Sequence, residues 1–256
     1  MKSPATTRLP TKQITKNQHV IAKSLLKRFS GANGQLEVLD LSALCIARRP
    51  PKHAVFTVNR HWDQRSEART MQDIESRFGT IVARVLHGSA TVESEACHQT
   101  ISEMFALWRA RTHLAHEPIA DQRLAGVAPE RAVSADQIDQ LEQYGVIVAD
   151  STGLVAGRMI AGPLIMRMLD FHACDLAGKR WGVVRADAGE FVLPDTFDGN
   201  LVLPISPTCC FIADNPDGVI EREVVGELNA LAQKSARKFL VARSFTACPG
   251  LEGVRT

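Results

Sequence analysis

Apolar positions along this chain follow two rhythms, and the change from one to the other divides it. Residues 17–29 carry Val20, Ile21, Leu25 and Phe29 on one helical face and end at Ser30-Gly31, which predicts a short helix. Gly34 opens a predicted strand over 36–41, Arg48-Arg49-Pro50-Pro51 reads as a stiff basic connector, and 54–58 reads as a second strand. The middle of the chain is helical. Thr70, with Asp73 three residues on, predicts the N-cap of a helix carrying Ile74, Phe78, Ile81, Val82 and Val85, which Gly88 closes. A second helix is predicted over 100–116 from Ile101, Met104, Phe105, Trp108 and Leu114, stopping before Pro118. Ser134 with Gln137 makes a capping box for a short helix ending at Gly145. Pro163 fits the first turn of a helix through Leu164, Ile165, Met168, Leu169 and His172.

After Gly178 the period becomes two. Short strands are predicted over 181–185, 191–193, 201–205 and 210–213, punctuated by glycines and prolines. A last helix over 222–238 turns Val225, Leu228, Ala232 and Ala236 inward, and 239–242 adds a final strand. This order predicts an α+β fold, with a helical middle and a mostly antiparallel sheet built from N- and C-terminal segments. The expected organisation is a basic, mobile arm over 1–17 followed by a single domain over 18–256. Within that domain the helical part spans 66–176, the strand-rich part 179–214 and the closing helix 221–239.

At 256 residues, 45% hydrophobic and 23% charged, the chain can bury a core without disulfides or metals. That excludes a disordered tail, a collagen-like repeat and a disulfide-framed secreted module. No apolar run is long enough to span a bilayer, and residues 1–10 lack the apolar core of a signal peptide. A cytoplasmic protein with no membrane partner is therefore expected. None of the six cysteines forms a Cys-x-x-Cys pair, so buried, reduced thiols are expected, with Cys209 and Cys210 on opposite faces of a strand. Charge is unevenly spread. Eleven Lys and Arg against Glu37 and Asp40 give residues 1–62 about nine positive charges, while the whole chain carries only +2. Such a segment is the footprint of a surface that meets phosphates, or of a basic arm that docks on the acidic remainder of its own fold.

Signatures of nucleotide-driven and α/β-hydrolase chemistry are missing: the sequence has no GxxxxGK[ST], no GxGxxG after a strand and no GxSxG. Nor does any cofactor motif support a small-molecule-modifying enzyme. Arg111 and His116 form an Arg-x4-His pair of the kind used by HEPN-type ribonucleases, in which the cation holds phosphate charge and the imidazole moves a proton. The alternative is a basic helix end that complements the helix dipole. His19 lies among Lys16, Lys23 and Lys27. Asp195 follows Pro194 at a strand end, where a general base, a metal ligand or a plain turn residue is found.

Read together, these segments resemble the bacterial family called domain of unknown function 4238. Its members open with His-His-x-x-Pro-x-x-x-Leu-x-x-Phe, and the matching run here is Gln18-His19-Val20-Ile21-Ala22-Lys23-Ser24-Leu25-Leu26-Lys27-Arg28-Phe29. Gln18 and Ala22 depart from it. The strand at Leu36 to Asp40, Ile74-Glu75, the Trp108-Arg109-Ala110-Arg111-Thr112 helix, Phe191 to Phe197, Leu203-Pro204-Ile205-Ser206-Pro207, Leu228-Asn229 and Ala236-Arg237 follow in the family's order. Of the family's Ser-Asp-Asn-Pro run only Asp195 survives. The resemblance covers about residues 14–244.

The family occurs in bacterial defence settings, which implies a nucleic-acid-acting, nuclease-like effector, possible in antiphage defence. On this expectation His19 is a general base or metal ligand, Glu75 and Asp195 are metal ligands or base, and Arg111 and His116 complete the catalytic set. Lys23, Lys27, Arg28, Arg48 and Arg49 hold the nucleic-acid backbone, and Asn229 and Arg237 extend a polar network. A divalent metal, a protein partner and a homo-oligomer are left open. The alternative is a non-enzymatic sensor or protein-interaction module in which the same polar residues form a structural network.

Overall fold

The computed structural model describes residues 14–88, 91–126, 133–197 and 199–253. The chain opens with β1 (Asn17–His19), α1 (Lys23–Arg28), the β2–β3 hairpin (Leu36–Asp40 and Cys45–Arg49), and β4 (Thr57–Asn59) after a 3-10 turn at Ala54–Phe56. A helical stretch follows: α2 (Gln64–Ser66) runs through a π-helical turn, Glu67–Met71, into α3 (Gln72–Leu86), and α4 (Glu95–His116) comes next. The small pair β5 (Gln122–Arg123) and β6 (Leu154–Val155) brackets α5 (Ala135–Gln143) and leads into α6 (Gly157–Asp175). The remainder is β7 (Trp181–Ala186), β8 (Leu193–Pro194), β9 (Val202–Ser206), β10 (Cys209–Ala213), β11 (Gly218–Ile220), α7 (Arg222–Ser235) and β12 (Phe239–Ala242).

Helices in the middle and antiparallel sheets around them make an α+β fold. One four-stranded sheet has the order β3-β2-β12-β8, all antiparallel, and so joins the N-terminal hairpin to the last strand. The other has the order β11-β7-β10-β9, with β11 parallel to β7. Every residue of β12 is buried, as an unbroken apolar run in a central strand should be. α4 is the pillar of the helical part. Phe105 packs on both Trp108 and Trp181, while His98 Nδ1 accepts the Trp181 backbone N–H and Ser102 Oγ accepts its indole N–H. One apolar core runs from Ile21 to Cys248.

Several expectations change for tertiary reasons. The helix expected over 17–29 starts only at Lys23, because Gln18 is buried and the preceding residues pair as β1 with β4. Arg48 and Arg49 end β3 instead of forming a connector, and the strand expected over 54–58 is a 3-10 turn before β4. Thr70 is no N-cap. It sits in the π turn, and the cap is Asp63, whose carboxylate accepts Ser66 N–H at 2.9 Å and Ser66 O–H at 2.7 Å. α4 begins five residues early, capped by Ser94. Pro163 lies inside α6, whose start is fixed by Asp121 accepting Gly157 N–H at 2.9 Å. A Cβ on Gly162 would stand 1.6 Å from Asp63 Oδ2, so only glycine lets α6 pass the cap of α2.

The capping box of Ser134 and Gln137 and the positive φ of Gly88 after α3 are present as expected. β11 and the β5–β6 pair were not expected. All six cysteines are free, but Cys45 and Cys174 are exposed and Cys97 is half-buried, so only Cys209, Cys210 and Cys248 are buried thiols. Of the expected arm over 1–17, residues 1–13 lie outside the described residues. Thr15 N–H donates to Gln64, and the Lys16 carbonyl accepts Arg60 N–H.

Candidate functional site

Trp62 is the floor of the candidate site. It is fully buried, and the Gln18 carboxamide clasps its backbone from both sides: Nε2 donates to the Trp62 carbonyl at 2.8 Å, and Oε1 accepts the Trp62 N–H at 3.2 Å. An amide does this because it carries a donor and an acceptor side by side. The indole N–H donates to Glu67 at 2.5 Å. Over the ring, 5.7 Å from its centroid, lies the guanidinium of Arg111, only 2% exposed. Arg111 is ion-paired with Glu75, its Nη2 stands 3.6 Å from Glu67, and its Nε points at the Met71 sulfur at 3.3 Å. Spaced four residues apart along the π turn and the start of α3, Glu67, Met71 and Glu75 share the side that faces Arg111.

His19 stands beside this cluster at the end of β1. Its Nε2 is 3.2 Å from the Pro51 carbonyl. A carbonyl can only accept, so Nε2 carries the proton and Nδ1 is the basic nitrogen. Burial holds the His19 pKa below its ordinary value, and Lys23 pushes the same way, while the Pro51 hydrogen bond and the Glu75 and Glu67 carboxylates oppose it. The imidazole is therefore kept neutral near physiological pH, with a free base at Nδ1 among the described residues. The structure thus brings together three residues expected from sequence, His19, Glu75 and Arg111, and adds Trp62 and Glu67, which sequence reasoning missed. The Glu-x3-Met-x3-Glu spacing at 67, 71 and 75 was the available signal for Glu67.

Asp195 and His116 form a second cluster. Five residues along α4 places His116 about 140° around the helix from Arg111, so the Arg-x4-His pair does not share a side. His116 Nε2 lies 3.4 Å from the Asp195 carboxylate, which also accepts the backbone N–H groups of Arg237 at 2.8 Å and Lys238 at 2.9 Å. The Asp195 carbonyl accepts Trp108 Nε1–H and Thr112 O–H. Burial moves both members toward their neutral forms: His116 is lowered, with Lys238 adding to the effect, and Asp195 is raised against its hydrogen bonds. The Asp195 carboxylate thus bonds a distant backbone segment and not its own turn. It ties the end of β8 to the turn before β12.

Asn229 belongs to neither cluster. Its carboxamide accepts Val192 N–H and donates to the carbonyls of Glu190 and Pro249, a buried clasp between α7 and two loops. Arg237 enters the second cluster through its backbone. Lys23 and Lys27 are exposed on α1 with Arg28 half-buried beside them, and Arg48 and Arg49 are exposed at the end of β3. Arg48 makes a loose 3.5 Å contact with Glu37. Sequence reasoning also missed a buried ionic knot: Glu142 accepts Arg60 at 2.8 Å, Arg158 at 2.9 Å and the Gln64 N–H at 3.1 Å, fastening α5 to α2 and α6.

Among the described residues no three His, Cys, Asp or Glu side chains are gathered closely enough to hold a metal ion. Glu67 and Glu75 instead share the guanidinium of Arg111. No helix there is long and apolar enough to cross a membrane. No curated protein and no solved structure matches the chain. A family model described as "Protein of unknown function (DUF4238)" matches residues 17–197, a span that holds the first cluster and the His116–Asp195 pair but stops short of the Leu203–Pro207 turn, Asn229 and the Arg237 and Lys238 backbone donors to Asp195. The chain belongs to that family.

Proposed function

We propose that this protein acts on nucleic acid as a nuclease-like effector, in the defence setting that the family resemblance implies. The observation that carries the reading is the set of Glu67, Glu75 and Arg111 gathered over Trp62 from the π turn, α3 and α4, with His19 at the end of β1 within electrostatic reach of both carboxylates. In this reading His19 Nδ1 takes or returns the proton of the reacting hydroxyl or water. Arg111, fixed by two carboxylates and the indole, is a rigid cation that orients Glu67 and Glu75 beside the imidazole. Lys23, Lys27, Arg28, Arg48 and Arg49 hold the phosphate backbone, which makes binding salt-sensitive.

The test is incubation with labelled RNA, single-stranded DNA and duplex DNA in magnesium, manganese, zinc or EDTA, beside His19→Ala. Cleavage lost in His19→Ala, with the melting temperature kept, supports the assignment. Cleavage unchanged by that substitution refutes it, and the EDTA arm separates a metal-assisted from a metal-independent reaction.

A second reading, a non-enzymatic binding module, draws on a different observation. Arg111, Asp195 and Asn229 all have protein partners for their polar atoms, as a structural network requires. It predicts salt-dependent retention of nucleic acid, or of a protein partner, with no cleavage.

A further inference from the structure

α3 carries the Arg111 cluster on one side and borders an open cavity on the other. The cavity, about 540 Å3, lies where α3 and α6 diverge over the first half of α4. That volume falls in the range of small-molecule sites, roughly 300–1,000 Å3. Its floor is apolar, made by Ile74, Ala106, Met166, Leu169 and Leu176. Met166 remains 40% exposed there, a flexible thioether left uncovered by its own fold.

Charge around the mouth is unbalanced. Asp73, Glu95, Glu103 and Asp170 line it against Arg77 and Lys179. Both cations are already engaged. Arg77 bridges Asp73 at 2.9 Å and Glu103 at 2.8 Å, and Lys179 reaches Asp214, outside the cavity, at 2.5 Å. Among the described residues Glu95 has only Arg180, at 3.9 Å, and Asp170 has no ion pair. An apolar floor beneath one unpaired carboxylate, Asp170, and one loosely paired one, Glu95, suits an ammonium group carried on an apolar body, and it repels an anion of the same shape.

We propose that the α3–α4–α6 cavity is a binding site for a small organic cation, a protonated amine with an apolar body. The site does not depend on the nuclease reading, and no residue of the Arg111 cluster lines it. Its walls α3 and α4 nevertheless carry Glu75 and Arg111, so occupancy would stiffen the helices that hold the cluster.

The experiment is calorimetric titration of the purified chain with hexylamine, 2-phenylethylamine and tryptamine, beside 2-phenylethanol and 3-phenylpropionate as neutral and anionic counterparts. Saturable one-to-one binding of at least one amine is expected, with weaker binding of the alcohol and none of the carboxylate. Two exposed substitutions locate it. Ala173→Trp, which fills the mouth, abolishes binding, and Asp170→Lys weakens it by about fivefold or more through loss and reversal of one exposed charge. Circular-dichroism melts verify that each variant is folded, and either variant alone suffices if the other fails to fold. Absence of saturable binding by all three amines, equal binding of amine and alcohol, or binding indifferent to both substitutions overturns the proposal.

Discussion

Replacing Arg111 by methionine keeps the length and apolar stem of the side chain and removes only its charge and fork. In the folded protein that charge is 2% exposed, faces two carboxylates and lies on an indole ring. Breaking a fully buried ion pair by deleting one partner costs about 3–5 kcal/mol, because the remaining charge is left uncompensated. Here the carboxylates left behind are not fully buried, since the Glu67 and Glu75 side chains keep 18% and 26% of their exposure. Water can reach them, which lowers the expected cost to about 2–3 kcal/mol. For a chain of this size that corresponds to a fall in Tm of roughly 4–12 °C. Urea denaturation of wild type, Arg111→Met, Glu75→Gln and the double variant gives the coupling directly. Glu75→Gln placed in the Arg111→Met background should recover part of the loss by removing one of two facing carboxylates. A loss below about 0.5 kcal/mol, the size of an ordinary surface change, would refute the account of Arg111 as a buried, paired cation.

Other expectations concern different parts of the molecule. Gln18→His should cost about 1–2 kcal/mol, because an imidazole cannot donate to and accept from the Trp62 peptide side by side; an unchanged urea midpoint would contradict the clasp. Burial lowers the pKa of His19, His98, His116 and His172. Their neutral forms are therefore favoured by folding, so stability is complete above the unfolded histidine pKa of about 6.5 and falls as pH drops below it toward the folded values. Urea midpoints at pH 7.5, 6.5 and 5.5 should decline in that order, and a rise would reverse the sign. Burial pushes the Cys209 thiol up to about 11 and the Cys248 thiol to about 12, so brief iodoacetamide treatment read by mass spectrometry should label the exposed Cys45 and Cys174 first. Early labelling of Cys209 would show that the β9–β10 region opens readily.

Elements decided by nearby residues were legible in the sequence. The stripe Ile74, Phe78, Ile81, Val82 and Val85 marks α3, and the capping box of Ser134 and Gln137 marks the start of α5. The apolar run at Phe239–Ala242 marks β12. Elements decided across the fold were not. β1 exists because Gln18 finds Trp62 forty-four residues away, and α6 begins at Gly157 because Asp121 caps it from a loop. Glu67 went unseen because its one signal, the four-residue spacing to Met71 and Glu75, is shared by many exposed helix faces. Of the candidate site, Glu75 and Arg111 form an ion pair and His19 lies within electrostatic reach of Glu75. His116 and Asp195 meet each other elsewhere, since residue spacing on α4 says nothing about which neighbour each side faces.

The placement of β12 bears on how the chain is made. β2 pairs with β12 through Leu39 and Leu240, two hundred residues apart, and β8 pairs with β12 from the other side. At synthesis rates of about 5–20 residues per second, β2 leaves the ribosome roughly 10–40 s before its central partner exists. During that interval the hairpin shows a bare edge to every other nascent chain, and for roughly its last 2–9 s the Asp195 carboxylate lacks the two backbone donors that follow α7. The stretch 17–197 matched by the family model lacks β12, the strand that stands between β2 and β8 in their sheet.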